Sequence, residues 1–343
     1  MLKISIIIPC YNEELYISNC IDSIISSEYP IDQMELILVD GMSTDKTYEL
    51  IEGYCQQYSF IKVFKNKKRI VSYALNLGIM HATGDYIVRL DAHCLYPKNY
   101  LSRLVEEAIR LKADNVGGLC RTLPADTNAV SQAIAIGFSH PLGVGNSLFR
   151  IGCDSIQEVD TVPFGCFPRN LFNRIGNFDV ELVRNQDDEF NARIRKNGGK
   201  IFIIPDLVID YFARNSLRKS YLMFYQYGLF KPLVNKKIGG PASVRQFIPL
   251  LFVVFLITGV FFSFFSPLVL DLTIVLMFSY LLVTLIVAFK KSVEYSNFLL
   301  MFLLPMVFFS IHFGYGWGYI RGIFKFRMFR NNSINKSLIV SNR

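Results

Sequence analysis

Gly84-Asp85-Tyr86-Ile87-Val88-Arg89-Leu90-Asp91-Ala92-His93-Cys94 is the stretch on which the fold turns. Residues 86–90 form an apolar run that reads as a buried strand. It delivers Asp91 and His93 to the strand's carboxyl end, where open α/β sheets bind ligands. Two ligand-type side chains two residues apart suit a divalent metal or a phosphate-bearing substrate. A turn in which Asp91 bonds local backbone, with His93 merely exposed, accounts for them equally well.

Upstream, residues 4–9 are a short β-rich run, and Cys10-Tyr11-Asn12-Glu13-Glu14 turns it into a helix with Asn12 as expected N-cap. Ile17, Ile21, Ile24 and Ile25 recur at helical spacing as a core-facing stripe. A second strand, residues 35–39, ends in Asp40-Gly41-Met42-Ser43-Thr44-Asp45, where Ser43 or Thr44 is placed to cap the next helix. A third strand, residues 61–64, leads through the basic loop at 65–69 to a helix over 72–81. Strands alternating with helices predict an α/β fold with a doubly wound, mostly parallel sheet. The acids of Glu13-Glu14, Asp40 and Asp91 then share one sheet edge, the geometry a nucleotide site needs. Neither G-x-G-x-x-G nor a P-loop occurs near these loops, which argues against dinucleotide oxidoreductases and P-loop NTPases.

Downstream come a helix over 101–109, a strand at 115–118, and glycine-bearing loops at 141–147 and 162–169, which allow close approach of a ligand but are more often simply turns. In Asn185-Gln186-Asp187-Asp188-Glu189-Phe190-Asn191-Ala192-Arg193-Ile194, Phe190 and Ile194 are four apart, as on the buried face of a helix. Its acids gather where the helix macrodipole favours negative charge.

The chain has 343 residues, 52% of them hydrophobic, and a mean hydropathy of +0.32. The apolarity becomes continuous only after about residue 247, so a soluble domain is followed by a membrane domain. Residues 4–8 are too short for a secretory signal, so the N-terminal domain is expected in the cytosol. Seven cysteines lacking metal spacing are expected to be reduced and mostly buried. The net charge of +8 comes from basic residues beside the apolar segments: Arg218, Lys219, Lys231, Lys236, Lys237 and Arg245 before them, Arg321, Lys325, Arg327 and Arg330 after. That placement fits anionic lipid headgroups and not nucleic acid.

Residues 247–270, 272–289 and 298–320 each approach the ~20 residues needed to cross hydrocarbon. The linker 263–271 has no Lys or Arg, whereas Lys290-Lys291 follow the second segment, so the first two read as a hairpin with basic ends inside. A third full crossing would put Arg321, Lys325, Arg327 and Arg330 outside, against that tendency. Pro305 with Gly314, Gly316 and Gly318 suggests a re-entrant or broken segment there. Residues 216–233 read as a helix lying at the bilayer surface or packed on the soluble domain, with Gly228 and Pro232 as expected interruptions.

Three stretches, residues 5–14, 38–47 and 84–93, resemble in order and spacing the N-terminal signatures of family 2 glycosyltransferases. The resemblance implies the GT-A fold, a nucleotide-sugar donor, and inversion at the anomeric centre. It implies that Pro9, Tyr11, Glu13 and Asp40 line the nucleoside pocket, with Arg69 and Asn76 on the donor side. Asp91 and His93 match the metal-binding D-x-D element, with His at its third position, for a divalent cation (Mn²⁺ or Mg²⁺). Residues 185–194 resemble the family's E-D-x-[DE]-[LF] motif, with Gln186 in place of glutamate. Asp187 takes the position of the base, Asp188 is its fallback, and Glu189 is the second acid. A single displacement needs a carboxylate to take the acceptor's proton, which contributes on the order of 10²- to 10⁴-fold.

The D-A-H variant, the membrane segments and Tyr227-Gly228-Leu229-Phe230-Lys231 are similar to succinoglycan-type polysaccharide glycosyltransferases. The expected organisation is a transferase domain at 1–215, an interfacial helix and linker at 216–245, a membrane domain at 246–322 and a basic tail at 323–343. The expected activity is transfer from a UDP-linked sugar to a polyprenyl-linked saccharide acceptor, at a multi-pass protein of the inner membrane with its catalytic domain cytoplasmic. Transfer of one sugar to polyprenyl phosphate is the alternative within the enzyme class. A nucleotide-binding regulator of a membrane channel is the alternative outside it, although the spans carry no Lys, Arg, Asp or Glu except for Asp271 at the junction of the first two, so no ion path is evident.

Overall fold

A computed structural model describes residues 2–241 and 243–328. The expected basic tail lies outside the described residues from 329 onward, Arg330 included.

The apolar runs form β1 (Ile4–Cys10), β2 (Met34–Asp40), β3 (Ile61–Lys65) and β4 (Tyr86–Arg89), joined by α1 (Ile17–Ile25), α2 (Thr47–Gln57) and α3 (Val71–His81). They lie parallel in the order β3-β2-β1-β4. The register pairs Cys10 with Asp40 and Ile7 with both Ile37 and Arg89, so the loops after β1, β2 and β4 emerge at one edge. Side chains alternate across the sheet. Ile4, Ile6 and Ile8 pack with Ile21 and Leu104 on one face, and Ile7 packs with Leu75 and Phe190 on the other.

Beyond β4 the chain forms β5 (Cys94–Leu95), α4 (Tyr100–Arg110), β6 (Asn115–Leu123), α5 (Ala129–Ser139), α6 (Pro141–Val144), α7 (Leu148–Ile151), β7 (Gln157–Glu158), β8 (Cys166–Pro168), α8 (Asn170–Ile175), α9 (Gln186–Lys196) and β9 (Ile201–Phe212). The sheet continues β4-β8-β6-β9-β5, with β7 on β9. Here the pairing turns antiparallel, β8 against β4 and β6, and β5 and β7 against β9. The doubly wound parallel arrangement therefore describes the N-terminal half, and the sheet as a whole is mixed.

Two local expectations change. Asn12 does not cap α1, which begins at Ile17 behind Tyr16 with no side-chain cap. Asn12 adopts a positive φ of 54° and its side-chain oxygen accepts from the Thr44 amide at 2.9 Å. Ser43 and Thr44 do not cap α2 either: the Ser43 hydroxyl donates to Asp40 and accepts from the Asn12 amide. These polar groups bind the loops after β1 and β2 to each other.

Two compact units result, residues 2–121 with 148–211, and residues 122–147 with 212–328. The second holds α5 and α6 with α10 (Leu217–Ile238), α11 (Phe247–Ser263), α12 (Pro267–Glu294) and α13 (Leu300–Gly322). The helix expected to break at Gly228 and Pro232 runs unbroken as α10, and the segment expected to be broken runs unbroken through Pro305 as α13. The glycines serve close packing: a Cβ on Gly228 would sit 1.9 Å from the Tyr315 carbonyl oxygen, and one on Gly318 would sit 2.1 Å from that of Tyr225. Val244–Ser263, Pro267–Glu294 and Leu300–Met328 are long and apolar enough to cross a membrane.

Candidate active site

The edge where β1, β2 and β4 end gathers most of the singled-out residues. Pro9 and Cys10 close β1, and Tyr11 follows them. The Arg69 guanidinium lies 5.8 Å from the centre of the Tyr11 ring, and Arg69 itself has a left-handed φ of 58°. Asp40 is buried and its carboxylate accepts from the amide and hydroxyl of Ser43, the amide at 3.1 Å. Asn76 has no place in this cluster. Its side chain exchanges hydrogen bonds with the backbone of Phe178, at 2.8 and 3.0 Å, and so fastens α3 to the segment before α9.

Asp91 and His93 come together: His93 Nε2 is 3.6 Å from Asp91 Oδ2, and His93 Nδ1 is 3.3 Å from Glu13 Oε1. Glu13 and His93 are both buried, so Glu13 faces the imidazole and not an open pocket. The Tyr211 ring closes on His93 edge-on at 5.1 Å. Tyr96 holds the backbone of Asp91, its hydroxyl taking the amide proton at 2.8 Å and donating to the carbonyl at 3.0 Å. Among the described residues no group of three or more His, Cys, Asp or Glu side chains is arranged to hold a metal. The pair Asp91–His93 offers two donors, and a carboxylate on the second imidazole nitrogen is the usual support for a metal-ligating histidine.

Arg89 occupies the centre. It is buried at the end of β4, its Nη1 2.9 Å from Asp187 Oδ2 and its Nη2 3.9 Å from Asp91 Oδ1, with Phe164 under the guanidinium. Burial opposes its charge, but Asp187 and Asp91 outweigh that and hold it firmly protonated. Asp187 stands in the first turn of α9, its side chain about a third exposed at 31%. Burial pushes its carboxyl above the ordinary range, against the pull of Arg89 and with further upward pushes from Asp188 and Asp91. Asp188 follows it at the start of α9.

Glu189 is buried and forks onto Arg193 at 2.8 and 2.9 Å, while Arg193 also donates to the Asn177 carbonyl. It anchors α9. The motif reading passed over Arg89, Tyr96 and Tyr211. For Arg89 a signal existed, a lone guanidinium inside the otherwise apolar run 86–90. The cysteines are free, with Cys10, Cys20, Cys94, Cys120 and Cys166 buried and their thiols pushed up by burial.

Residues 5–174 match the model of glycosyl transferase family 2. Over 330 residues the chain is 29% identical to the dolichyl N-acetyl-alpha-D-glucosaminyl phosphate 3-beta-D-2,3-diacetamido-2,3-dideoxy-beta-D-glucuronosyltransferase of Methanococcus voltae, spanning 94% of this chain and 97% of that one. It is 29% identical over 247 residues to the succinoglycan biosynthesis protein ExoA of Rhizobium meliloti, covering 71% of this chain and 74% of that protein. The crystal structure of S. aureus TarS shares the fold with a TM-score of 0.50 at 20% identity, over 77% of this chain and 44% of TarS. The three signatures, the sheet edge that unites them and a relative matched over nearly its whole length lead to one assignment: the chain belongs to glycosyltransferase family 2.

Proposed function

We propose that this enzyme transfers a sugar, with inversion, from a UDP-linked donor to a lipid-linked saccharide acceptor in the assembly of a surface polysaccharide. The observation that carries this reading is the line Asp187–Arg89–Asp91, in which one buried guanidinium joins a candidate base to a candidate metal ligand. In the single displacement, the acceptor hydroxyl oxygen bonds to the anomeric carbon as its bond to the diphosphate breaks. Asp187 takes the hydroxyl proton, a task its partly exposed, upward-shifted carboxylate suits. Asp188 is the alternative base.

Pro9, Tyr11, Asp40 and Arg69 would hold the nucleoside and its diphosphate. Asp91 and His93 would hold a divalent cation, Mn²⁺ or Mg²⁺, with Glu13 orienting the imidazole. A carboxylate oxygen and an imidazole nitrogen are donors that would suit such a cation. When bound, the cation would stabilise charge on the departing diphosphate. The relative from Methanococcus voltae is named for action on a dolichyl-linked sugar phosphate, which favours a saccharide acceptor over bare polyprenyl phosphate. Placement at the inner membrane, with the transferase domain (about residues 1–215) cytoplasmic, belongs to the same proposal.

The test is transfer from a panel of UDP- and GDP-sugars to membrane lipid extracts, with and without Mn²⁺, followed by analysis of the lipid product. A UDP-sugar should extend a saccharide already on lipid. A product carrying a single sugar on polyprenyl phosphate would favour the alternative, and donor binding without any transfer would sink the single-displacement mechanism.

A further inference from the structure

The three apolar helices do not contact the rest of their unit as three crossings would. Among the described residues no helix before Val244 is long and apolar enough to span a bilayer. Everything up to that point, α5, α6 and α10 included, therefore stays on one side of the membrane or at its surface. α10 itself carries Arg218, Lys219, Lys231, Lys236 and Lys237. Each would cost about 2.5–3.5 kcal/mol at the bilayer centre, so α10 does not cross.

α13 follows these near-side elements along its whole length. Just before it, Asn297 donates to Gln132 at 2.7 Å. A Cβ on Gly137 would meet Val307 at 2.5 Å, and His312 Nε2 lies 2.8 Å from the Leu142 carbonyl oxygen. From there α13 runs parallel to α10. Cβ atoms on Gly314, Gly318 and Gly322 would meet the backbones of Tyr221, Tyr225 and Leu229 in turn, and Phe326 packs on Phe230. A 23-residue helix is about 34 Å long, enough to span, yet no part of this one leaves the near-side partners.

The entry of α11 fixes the level. Asn235 of α10 donates at 2.9 Å both to Gln246, the residue before α11, and to Tyr319 of α13. Phe247 lies 5.9 Å from the Tyr319 ring. The end of α13 thus meets the beginning of α11, on the side where α11 enters. α11 and α12 form the hairpin: Gly259 abuts Thr273, and the Phe252 and Tyr280 rings lie tilted against each other with centres 4.8 Å apart. From Tyr280, α12 runs ten residues on to Lys290, whereas from Phe252 α11 reaches back only five residues to its start at Phe247, so Lys290 and Lys291 project beyond the near end.

We infer that only α11 and α12 cross the bilayer, and that α13 lies with α10 at the membrane surface on the side of the catalytic unit, docking on lipid through an exposed stripe. That stripe is Phe302, Met306 and Phe309 on α13, continued by Phe324 and Met328 in the π-helical turns at Ile323–Met328 that follow it, while the opposite face is buried in the protein. Arg321, Lys325 and Arg327 then join Lys290 and Lys291 on the near side, and the uncharged turn after Ser263 is the far side. Every basic flank obeys the positive-inside tendency, which three crossings would violate.

The full-length chain in intact cells, treated with a membrane-impermeant maleimide, tests this. Ser266→Cys is expected to react, and Lys325→Cys to react only after permeabilisation. Reaction of Lys325→Cys in intact cells would overturn the inference, as would failure of Ser266→Cys to react there while it reacts after permeabilisation. Because a cysteine variant can misfold, the wild-type chain carrying a C-terminal green fluorescent protein is read beside one carrying alkaline phosphatase. Fluorescence with no phosphatase activity is expected, and the converse would refute the two-crossing arrangement.

Discussion

Nη1 of Arg89 lies 2.9 Å from Oδ2 of Asp187, a bond between residues 98 positions apart that ties the end of β4 to the first turn of α9. A buried cation must be paired, and removing it leaves its anionic partners mutually repelling. Arg89→Met should therefore lower kcat on the order of 10²-fold by misplacing the carboxylate, since small shifts at a reacting centre cost about that much. Arg89→Lys, which keeps the charge but loses the fork that reaches both acids, should recover part of it. Steady-state kinetics with saturating donor decides this. Wild-type kcat in Arg89→Met would remove the guanidinium from the mechanism.

Asp187 supplies a pH signature. A base works only when deprotonated, and burial raises the folded carboxyl above the ordinary Asp value of about 3.9. Activity should thus fall as pH drops through a value above that one. In Arg89→Met the pull that lowers it is gone, so the acid limb should move to higher pH. Asp187→Asn should lose about 10²- to 10⁴-fold in transfer while still binding UDP, whereas Asp188→Asn should stay within about tenfold of wild type. The reverse ranking would assign the base to Asp188.

Glu13 faces His93 Nδ1 at 3.3 Å, so it acts on the Asp91–His93 pair through the imidazole. Glu13→Gln should weaken apparent Mn²⁺ affinity by about 10- to 100-fold, the usual loss when the support of a ligating histidine is removed. His93→Ala should raise the Mn²⁺ requirement at least as much. Titrating donor turnover with Mn²⁺ measures both, and identical half-saturation in all three proteins would separate His93 from the metal.

Much of this site was legible because short continuous apolar runs, each closed by a loop that carries an acid, leave strong local marks. Asp40, Asp91 and Asp187 stood at element ends, where the chain's own punctuation put them. Less legible were the partners that tertiary packing chooses. Asn76 bonds Phe178, and Glu13 turns to His93, through contacts about 80 to 100 residues apart that no local pattern encodes. Arg89 was visible as an odd charge in an apolar run, but its role depends on where α9 docks. The glycines of α10 and α13 read locally as breaks. Their meaning lies in the helix opposite, where Gly228 and Gly318 allow backbones to touch.

At the opposite end of the parallel strands, Glu35 offers a stability test free of catalysis. Its carboxylate is buried, accepts from the Ser5 hydroxyl at 2.7 Å and from the amide and hydroxyl of Thr83 at 2.6 and 2.9 Å, and pairs with Lys62 at 3.3 Å. Burial pushes its carboxyl up, but these hydrogen bonds outweigh burial and hold it below the ordinary Glu value. A carboxylate whose folded pKa is depressed contributes stability that is present above the unfolded pKa, about 4.3, and is lost as pH falls through the lower folded value. Glu35→Ala should cost about 1–3 kcal/mol at neutral pH, because donors in the interior lose their acceptor. Thermal melts of both proteins from pH 7 down to pH 3 should show the gap in Tm narrowing below about pH 4, as the wild type's carboxylate is neutralised. A gap that stayed constant over that range would show that Glu35 stabilises the fold by packing and not as a charged acceptor.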